Sequence, residues 1–149
     1  MHIRQMNGGD VATVSAIEER SLSAWNRQQI RSELQRKYGI ALVAVAPDGE
    51  VRAWCCGLQT GVEAELLKIT VGPEVRRSGI GRALLQEFCS IAKGQGAEQI
   101  FLEVRSQNHP ALRLYEQHGF LKTGRRKDYY KEPVDDAVMY VLRLNDDPE

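Results

Sequence analysis

Apolar and polar positions run along this chain in blocks whose period changes at glycine, proline and asparagine. Residues 3–6 read as a short first strand. Asn7 then caps a helix with Asp10 three positions on, and Val11, Val14, Ala16 and Ile17 supply its apolar stripe. Glu18-Glu19-Arg20 reads as the solvated end of that helix. Asn26 with Gln29 makes a capping box for a second helix that turns Ile30 and Leu34 inward. Residues 40–46 are a continuous apolar strand, Pro47-Asp48-Gly49 a turn, and residues 51–58 its hairpin partner. Leu66, Leu67, Ile69 and Val71 form a buried strand that Gly72-Pro73 breaks. Ile80, Leu84, Leu85 and Phe88 recur at helical spacing until Gly94 and Gly96 stop the pattern. In residues 100–104, Ile100, Leu102 and Val104 share one face of a strand and Phe101 and Glu103 the other. Asn108 opens a short helix ending at His118, with Ala111, Leu114, Tyr115 and His118 on one side. Two strands close the chain, the last over residues 137–144, and residues 145–149 read as a frayed polar tail.

This order predicts one α/β domain over residues 1–149, a mixed central sheet with helices on both faces. At 149 residues, 42% hydrophobic, the chain suits one sizeable core. Twenty basic and twenty acidic residues cancel, so net charge argues for neither nucleic acid nor membrane. The three cysteines form no framework: Cys55 and Cys56 face opposite sides of a strand, and Cys89 is a small core residue in a helix. His2, His109 and His118 have no metal-ligand spacing, so no metal is expected. With no apolar leader and no run of membrane-spanning length, the expected location is the reducing cytoplasm.

Candidate chemistry begins where the strand ending at Val71 meets the helix. Arg76-Arg77-Ser78-Gly79-Ile80-Gly81 lies between them, and a helix start offers unpaired N–H groups and a positive dipole end. Gly79 and Gly81 let a pyrophosphate approach that backbone. The plainer reading is a strand–turn–helix that merely needs glycine. Trp25 either staples to Ile30 or lines a substrate groove.

The motif Arg76-x-x-Gly79-x-Gly81, after Leu67-x-Ile69-x-Val71, resembles the acetyl-coenzyme-A motif of the GNAT N-acetyltransferase superfamily. Leu102-Glu103-Val104-Arg105-x-x-Asn108-x-x-Ala111-x-x-Leu114-Tyr115-Glu116-x-x-Gly119-Phe120, followed by Arg125-Arg126-x-x-Tyr129-Tyr130, resembles its ribosomal-protein-alanine N-acetyltransferases, the RimI branch. That resemblance implies acetyl transfer from acetyl-CoA to an α-amino group, most fittingly the N-terminal alanine of a ribosomal protein. It implies that the backbone of Ile69, Thr70 and Val71 pairs with the pantetheine arm. Arg76, Arg77, Ser78, Gly79, Ile80, Gly81 and Arg82 then hold the pyrophosphate, and Asn108 lies near the pantetheine arm while also suiting a helix cap. Glu103 matches the general base and Tyr115 the general acid, with Glu65 in reserve as base.

Several positions depart from the family pattern. Ala24 stands before Trp25 where proline is common, and Lys68 replaces a small polar residue in the central strand. Lys68 falls near the acceptor, where Glu103 or Glu65 is the expected acidic partner. The basic span from Lys122 to Lys131 reads as a solvated face with a loop over the acceptor groove, rather than a nucleic-acid patch, with Tyr129 and Tyr130 as groove walls. The alternatives are a small amine, an antibiotic or a lysine as acceptor, or an acyl-CoA-binding sensor without turnover.

Overall fold

The computed structural model describes residues 1–144. Seven strands, β1 (His2–Gln5), β2 (Gly39–Val45), β3 (Val51–Thr60), β4 (Glu63–Val71), β5 (Gln99–Arg105), β6 (Leu121–Lys131) and β7 (Val134–Arg143), form one sheet. Their spatial order is β1–β2–β3–β4–β5–β7–β6. Only β4 and β5 run parallel; the other neighbours are antiparallel, which makes the sheet mixed as expected.

Helices α1 (Val11–Glu18) and α2 (Arg27–Glu33) lie on one face, and α3 (Ile80–Gly94) and α4 (His109–His118) on the other. Strand alternation decides which side chain enters which core. Cys55 joins the core under α3 and Cys56 the core under α1 and α2, as their adjacency requires. On α3 the stripe Ile80, Leu84, Leu85, Phe88, Cys89 and Ala92 is buried. Asn26 and Gln29 form the reciprocal capping box that starts α2. Asn7 and Asp10 form another, which caps a 3-10 turn leading into α1.

Three expectations are corrected. On α1 the buried positions are Val11, Val14, Ser15 and Glu18, while Ala16 faces solvent. Glu18 is therefore no solvated helix end: it is fully buried. The basic span is not a loop but β6, an exposed strand held by its ladder with β7. The frayed tail expected over residues 145–149 lies outside the described residues.

Strand β4 carries the irregularity that shapes the molecule. Cys56 pairs with Lys68 and Gly57 with Leu66, so Leu67 is the extra residue of a β-bulge. A bulge puts consecutive side chains on one face. Leu67 packs on the α1–α2 core and Lys68 reaches the end of α1, while Leu66 and Ile69 lie on the α3 side. Gly57 opposite is obligatory, because a Cβ there would sit 2.2 Å from the Glu65 carbonyl and 2.5 Å from the Phe88 ring. Beyond this point the sheet opens. The β4–β5 ladder comprises only Glu63–Gln99, Ala64–Ile100 and Glu65–Phe101, after which the two parallel strands diverge.

Candidate active site

The divergence of β4 and β5 leaves a cleft in the middle of the sheet. One wall is the edge of β4 from Leu66 onward, whose backbone groups no longer pair with β5. An extended ligand arm entering the cleft meets that edge as an added strand would. At its mouth the chain passes from Val71 through a 3-10 turn, Pro73–Val75, into α3.

The turn into α3 is built for close backbone approach. Arg77 has φ +66° and Gly79, the helix cap, φ +87°. A Cβ on Gly79 would meet no protein atom within 4 Å, so the space in front of this backbone is open. The first bond into the cap runs from Ala83 N–H to the Gly79 carbonyl at 3.0 Å. The preceding N–H groups of Ile80, Gly81 and Arg82 belong to the unpaired first turn. Arg76, Arg77 and Arg82 are all solvent-exposed around it. Open backbone, helix dipole and three cations together fit a diphosphate. The residues that the resemblance assigns to acetyl-CoA, Asn108 apart, follow one another from the unpaired edge of β4 into the first turn of α3, and their backbone would offer it one surface.

Thr70 contributes to that surface through its main chain only. Its side chain turns to the α1 face, where its hydroxyl donates to Glu18 Oε2 at 2.5 Å. Asn108 caps α4, its Oδ1 accepting from the Ala111 N–H at 3.3 Å. The cap role is thus present, at the loop that follows the diverging end of β5.

Glu103 and Tyr115 lie on opposite faces of the sheet. Glu103 is two residues past the last paired rung of β5, half-buried on the uncovered face, with Arg126 Nε at 3.5 Å. Tyr115 is buried under the other face, between Phe120 and Tyr140 at ring separations of 5.7 and 6.2 Å. Burial first, and then the Cys55 thiol and the Tyr130 hydroxyl, push its phenol well above the ordinary tyrosine range. It therefore keeps its proton at neutral pH. Glu65 shares a groove of about 280 Å³ with Glu63, Phe101, Glu103, Thr123 and Met139. Burial and the Glu103 charge raise its carboxyl.

The remaining candidates gather on the α1–α2 face. Lys68 finds neither Glu103 nor Glu65. Its ammonium donates to the Ser23 carbonyl at 2.7 Å and pairs with Glu18 Oε1 at 3.4 Å. Trp25 packs edge-on against Trp54 at 5.8 Å, rather than simply stapling to Ile30. Tyr130 is half-buried with the Arg105 guanidinium 4.4 Å from its ring centre, and burial, then Glu103, push its phenol up to about 12. Tyr129 is turned outward, edge-on to Tyr130.

Two polar anchors escape sequence reasoning. Glu18 accepts from Trp54 Nε1 at 2.8 Å and from the Trp25 N–H at 3.0 Å, besides Thr70 and Lys68. A buried carboxylate is tolerable only when so fully bonded. The available signal was spacing: Val11, Val14 and Glu18 are three and four apart, so residue 18 falls on the buried stripe. Arg105, also buried, donates to the Ser23 hydroxyl and to the carbonyls of Pro133 and Glu132. Its place in a strand pattern gave no hint of that reach.

A mixed sheet that splits at the one parallel pair among its described strands, with a helix start suited to a diphosphate at the mouth of the split, is the architecture of an acyl-coenzyme-A-dependent transferase. The family described as Acetyltransferase (GNAT) matches residues 11–120, and the chain belongs to it. It is an acetyl-CoA-dependent N-acetyltransferase of RimI-like type. The [ribosomal protein bS18]-alanine N-acetyltransferase of Escherichia coli is 28% identical over 146 residues, which cover 96% of this chain and 97% of that one. The crystal structure of the Escherichia coli ribosomal-protein-alanine N-acetyltransferase has a TM-score of 0.89 at 28% identity, covering 99% of this chain and 96% of that chain. Ard1 from Thermoplasma volcanium also reaches 0.89, at 26% identity over 97% and 98% of the two chains. Among the described residues no cluster of three metal-ligating side chains occurs, and no helix is long and apolar enough to cross a membrane.

Proposed function

We propose that this enzyme acetylates the α-amino group of a protein N-terminus, preferentially one that begins with alanine, and that a ribosomal protein is its substrate. The observation that carries this reading is the opening between β4 and β5, with Glu103 just past the last paired rung on the uncovered face of β5 and Tyr115 buried under the α3–α4 face. The Escherichia coli relative, named for the alanine of a ribosomal protein, supports the acceptor class.

Acetyl-CoA brings the acetyl group as a thioester; a C–N bond forms to the acceptor and the C–S bond breaks. The chain's own residues manage the protons. Glu103 takes the proton that the acceptor nitrogen loses, directly or through a water. Tyr115, still protonated, gives its proton toward the departing sulfur. Glu103 is the better placed base, because it flanks the opening itself while Glu65 sits on the last paired rung. No covalent enzyme intermediate is required. The cysteines are free and buried, and burial pushes the Cys89 thiol up to about 12, far from nucleophilic use. Three reduced cysteines also fit a cytoplasmic setting.

The test is a panel of acceptors incubated with acetyl-CoA and read by mass spectrometry. An α-amine, with an ordinary pKa near ~8 against about 10.4 for lysine, is the easier one to deprotonate. The expected outcome is fastest acetylation of the Ala-initiated peptide. Faster acetylation of a lysine side chain or an aminoglycoside would overturn the assignment.

A further inference from the structure

Two segments from distant parts of the chain meet at the end of β5, and on the acceptor reading above they are the two walls of the acceptor groove. One is the loop of residues 19–26 between α1 and α2, which carries Ser23 and Trp25. The other is the β6–β7 hairpin, which carries Tyr130 and turns at Glu132-Pro133. No hydrogen bond directly between these walls occurs among the described residues. Arg105, at the end of β5, lies between them and reaches both.

Its Nε donates to the Ser23 hydroxyl at 2.6 Å on the first wall. On the second, its two terminal nitrogens donate to the carbonyls of Pro133 at 2.7 Å and Glu132 at 3.1 Å, and its plane lies 4.4 Å from the Tyr130 ring centre. The planar guanidinium fork presents its donors in one plane on three separate nitrogens, which suits three acceptors spread over two segments. Its acceptors are a hydroxyl and two carbonyls; none is a carboxylate. The side chain is only 6% exposed, so these bonds form where water competes poorly.

The first wall is itself held rigid. Glu18 accepts from the Trp25 N–H, and Lys68 donates to the Ser23 carbonyl, so Ser23 is gripped from β4 and β5 together. The second wall is pinned at its base. Asp135 accepts from the Ser106 hydroxyl at 2.5 Å and the Gln107 N–H at 3.1 Å, both in the loop just past Arg105. With each wall anchored to the sheet, Arg105 links the two by hydrogen bonds to both.

We propose that Arg105 is a positioning residue that sets the width of the acceptor groove, and thereby selects for a small first residue on the incoming peptide. The inference rests on the acceptor reading above. Loss of the brace lets the walls part, which weakens acceptor binding and admits bulkier first residues. The acetyl-CoA residues from Ile69 to Arg82 lie on β4 and α3, and Asn108 is held through the Arg105 main-chain carbonyl, which a side-chain change leaves in place.

The test compares Ser23→Ala, Ser23→Thr and Arg105→Met by steady-state kinetics, using the amine that the wild-type enzyme acetylates best. Ser23→Ala removes one charge-assisted bond and raises the acceptor KM about tenfold, while the acetyl-CoA KM stays within about twofold. The preference for a small over a bulky first residue falls by a similar factor. Ser23→Thr, which keeps the hydroxyl, retains wild-type values, and folded Arg105→Met exceeds Ser23→Ala in both effects. If Arg105→Met does not fold, the Ser23 pair decides. An unchanged acceptor KM and selectivity in Ser23→Ala overturns the brace, as does an equal rise in the acetyl-CoA KM. Should the acceptor panel show a lysine or small amine as the best substrate, the α-amine reading fails there, and the variants then test the brace on that amine's KM.

Discussion

At the scale of single residues, position relative to the opening matters more than identity. By pattern Glu103 and Tyr115 are ordinary strand and helix residues; what distinguishes Glu103 is its place on β5 just past the rung where β4 leaves it. Positioned acid–base groups contribute roughly 10²–10⁴-fold. Tyr115→Phe and Glu103→Gln should each lower kcat by about that range, with acetyl-CoA affinity by calorimetry nearly unchanged. Near-wild-type turnover in both, with chemistry rate-limiting, would move the base to Glu65. Which residues the sequence revealed follows from the same logic. The Glu103 and Tyr115 assignments came from a motif, because neither alternation nor helical spacing distinguishes a proton carrier from a core aromatic or an ion-pair partner. Glu18 was hidden because charged residues flank it, and its burial arises from Trp54, Thr70 and Lys68, all more than 30 positions away.

At the scale of elements, apolar periodicity found α3 and β5, because each buries one stripe or face. It missed the extent of β6, in which only Gly124 and Tyr130 are even partly buried. Such a strand is specified by backbone pairing with β7, and its side chains leave no apolar trace. The bulge in β4 was equally silent, although it explains why Lys68 turns toward α1 and Glu18. The junction of β4 and α3 offers a discriminating substitution. A Cβ on Gly81 would lie 3.4 Å from Val71 and 3.7 Å from Leu114, in ordinary contact between β4 and α4. Gly81→Ala should therefore leave the melting temperature unchanged or higher, since alanine favours a helix over glycine by up to about 1 kcal/mol. The same methyl narrows the cleft mouth, so acetyl-CoA affinity should fall. Calorimetry showing equal affinity would remove Gly81 from the binding surface.

At the scale of the whole molecule, the aspartates set the response to acid. Arg4 holds Asp10 below the usual aspartate range through a two-pronged pair at 2.9 Å. Main-chain N–H groups do the same first for Asp48, from Glu50, and for Asp136, from Asp128. Burial raises Asp135, yet bonds from Ser106, Gln107 and Asp136 bring it lower overall. Each of these groups binds its proton less readily folded than unfolded. Their stabilisation is present above about pH 4 and is lost as pH falls through the lowered values. From these aspartates the urea midpoint should drop as pH falls below about 4; a midpoint that rises over that range would contradict this. The open sheet has a further consequence at its two margins. A sheet that does not close presents unpaired backbone at each outermost strand, a template on which other chains can stack. Here one margin is β1, only four residues long, and the other is β6, where Lys122, Arg125, Arg126, Lys127 and Lys131 are all exposed. Brevity guards one border and like-charge repulsion the other, so the cations of β6 act as a guard against fibre-like association at the high concentrations of a crowded cell.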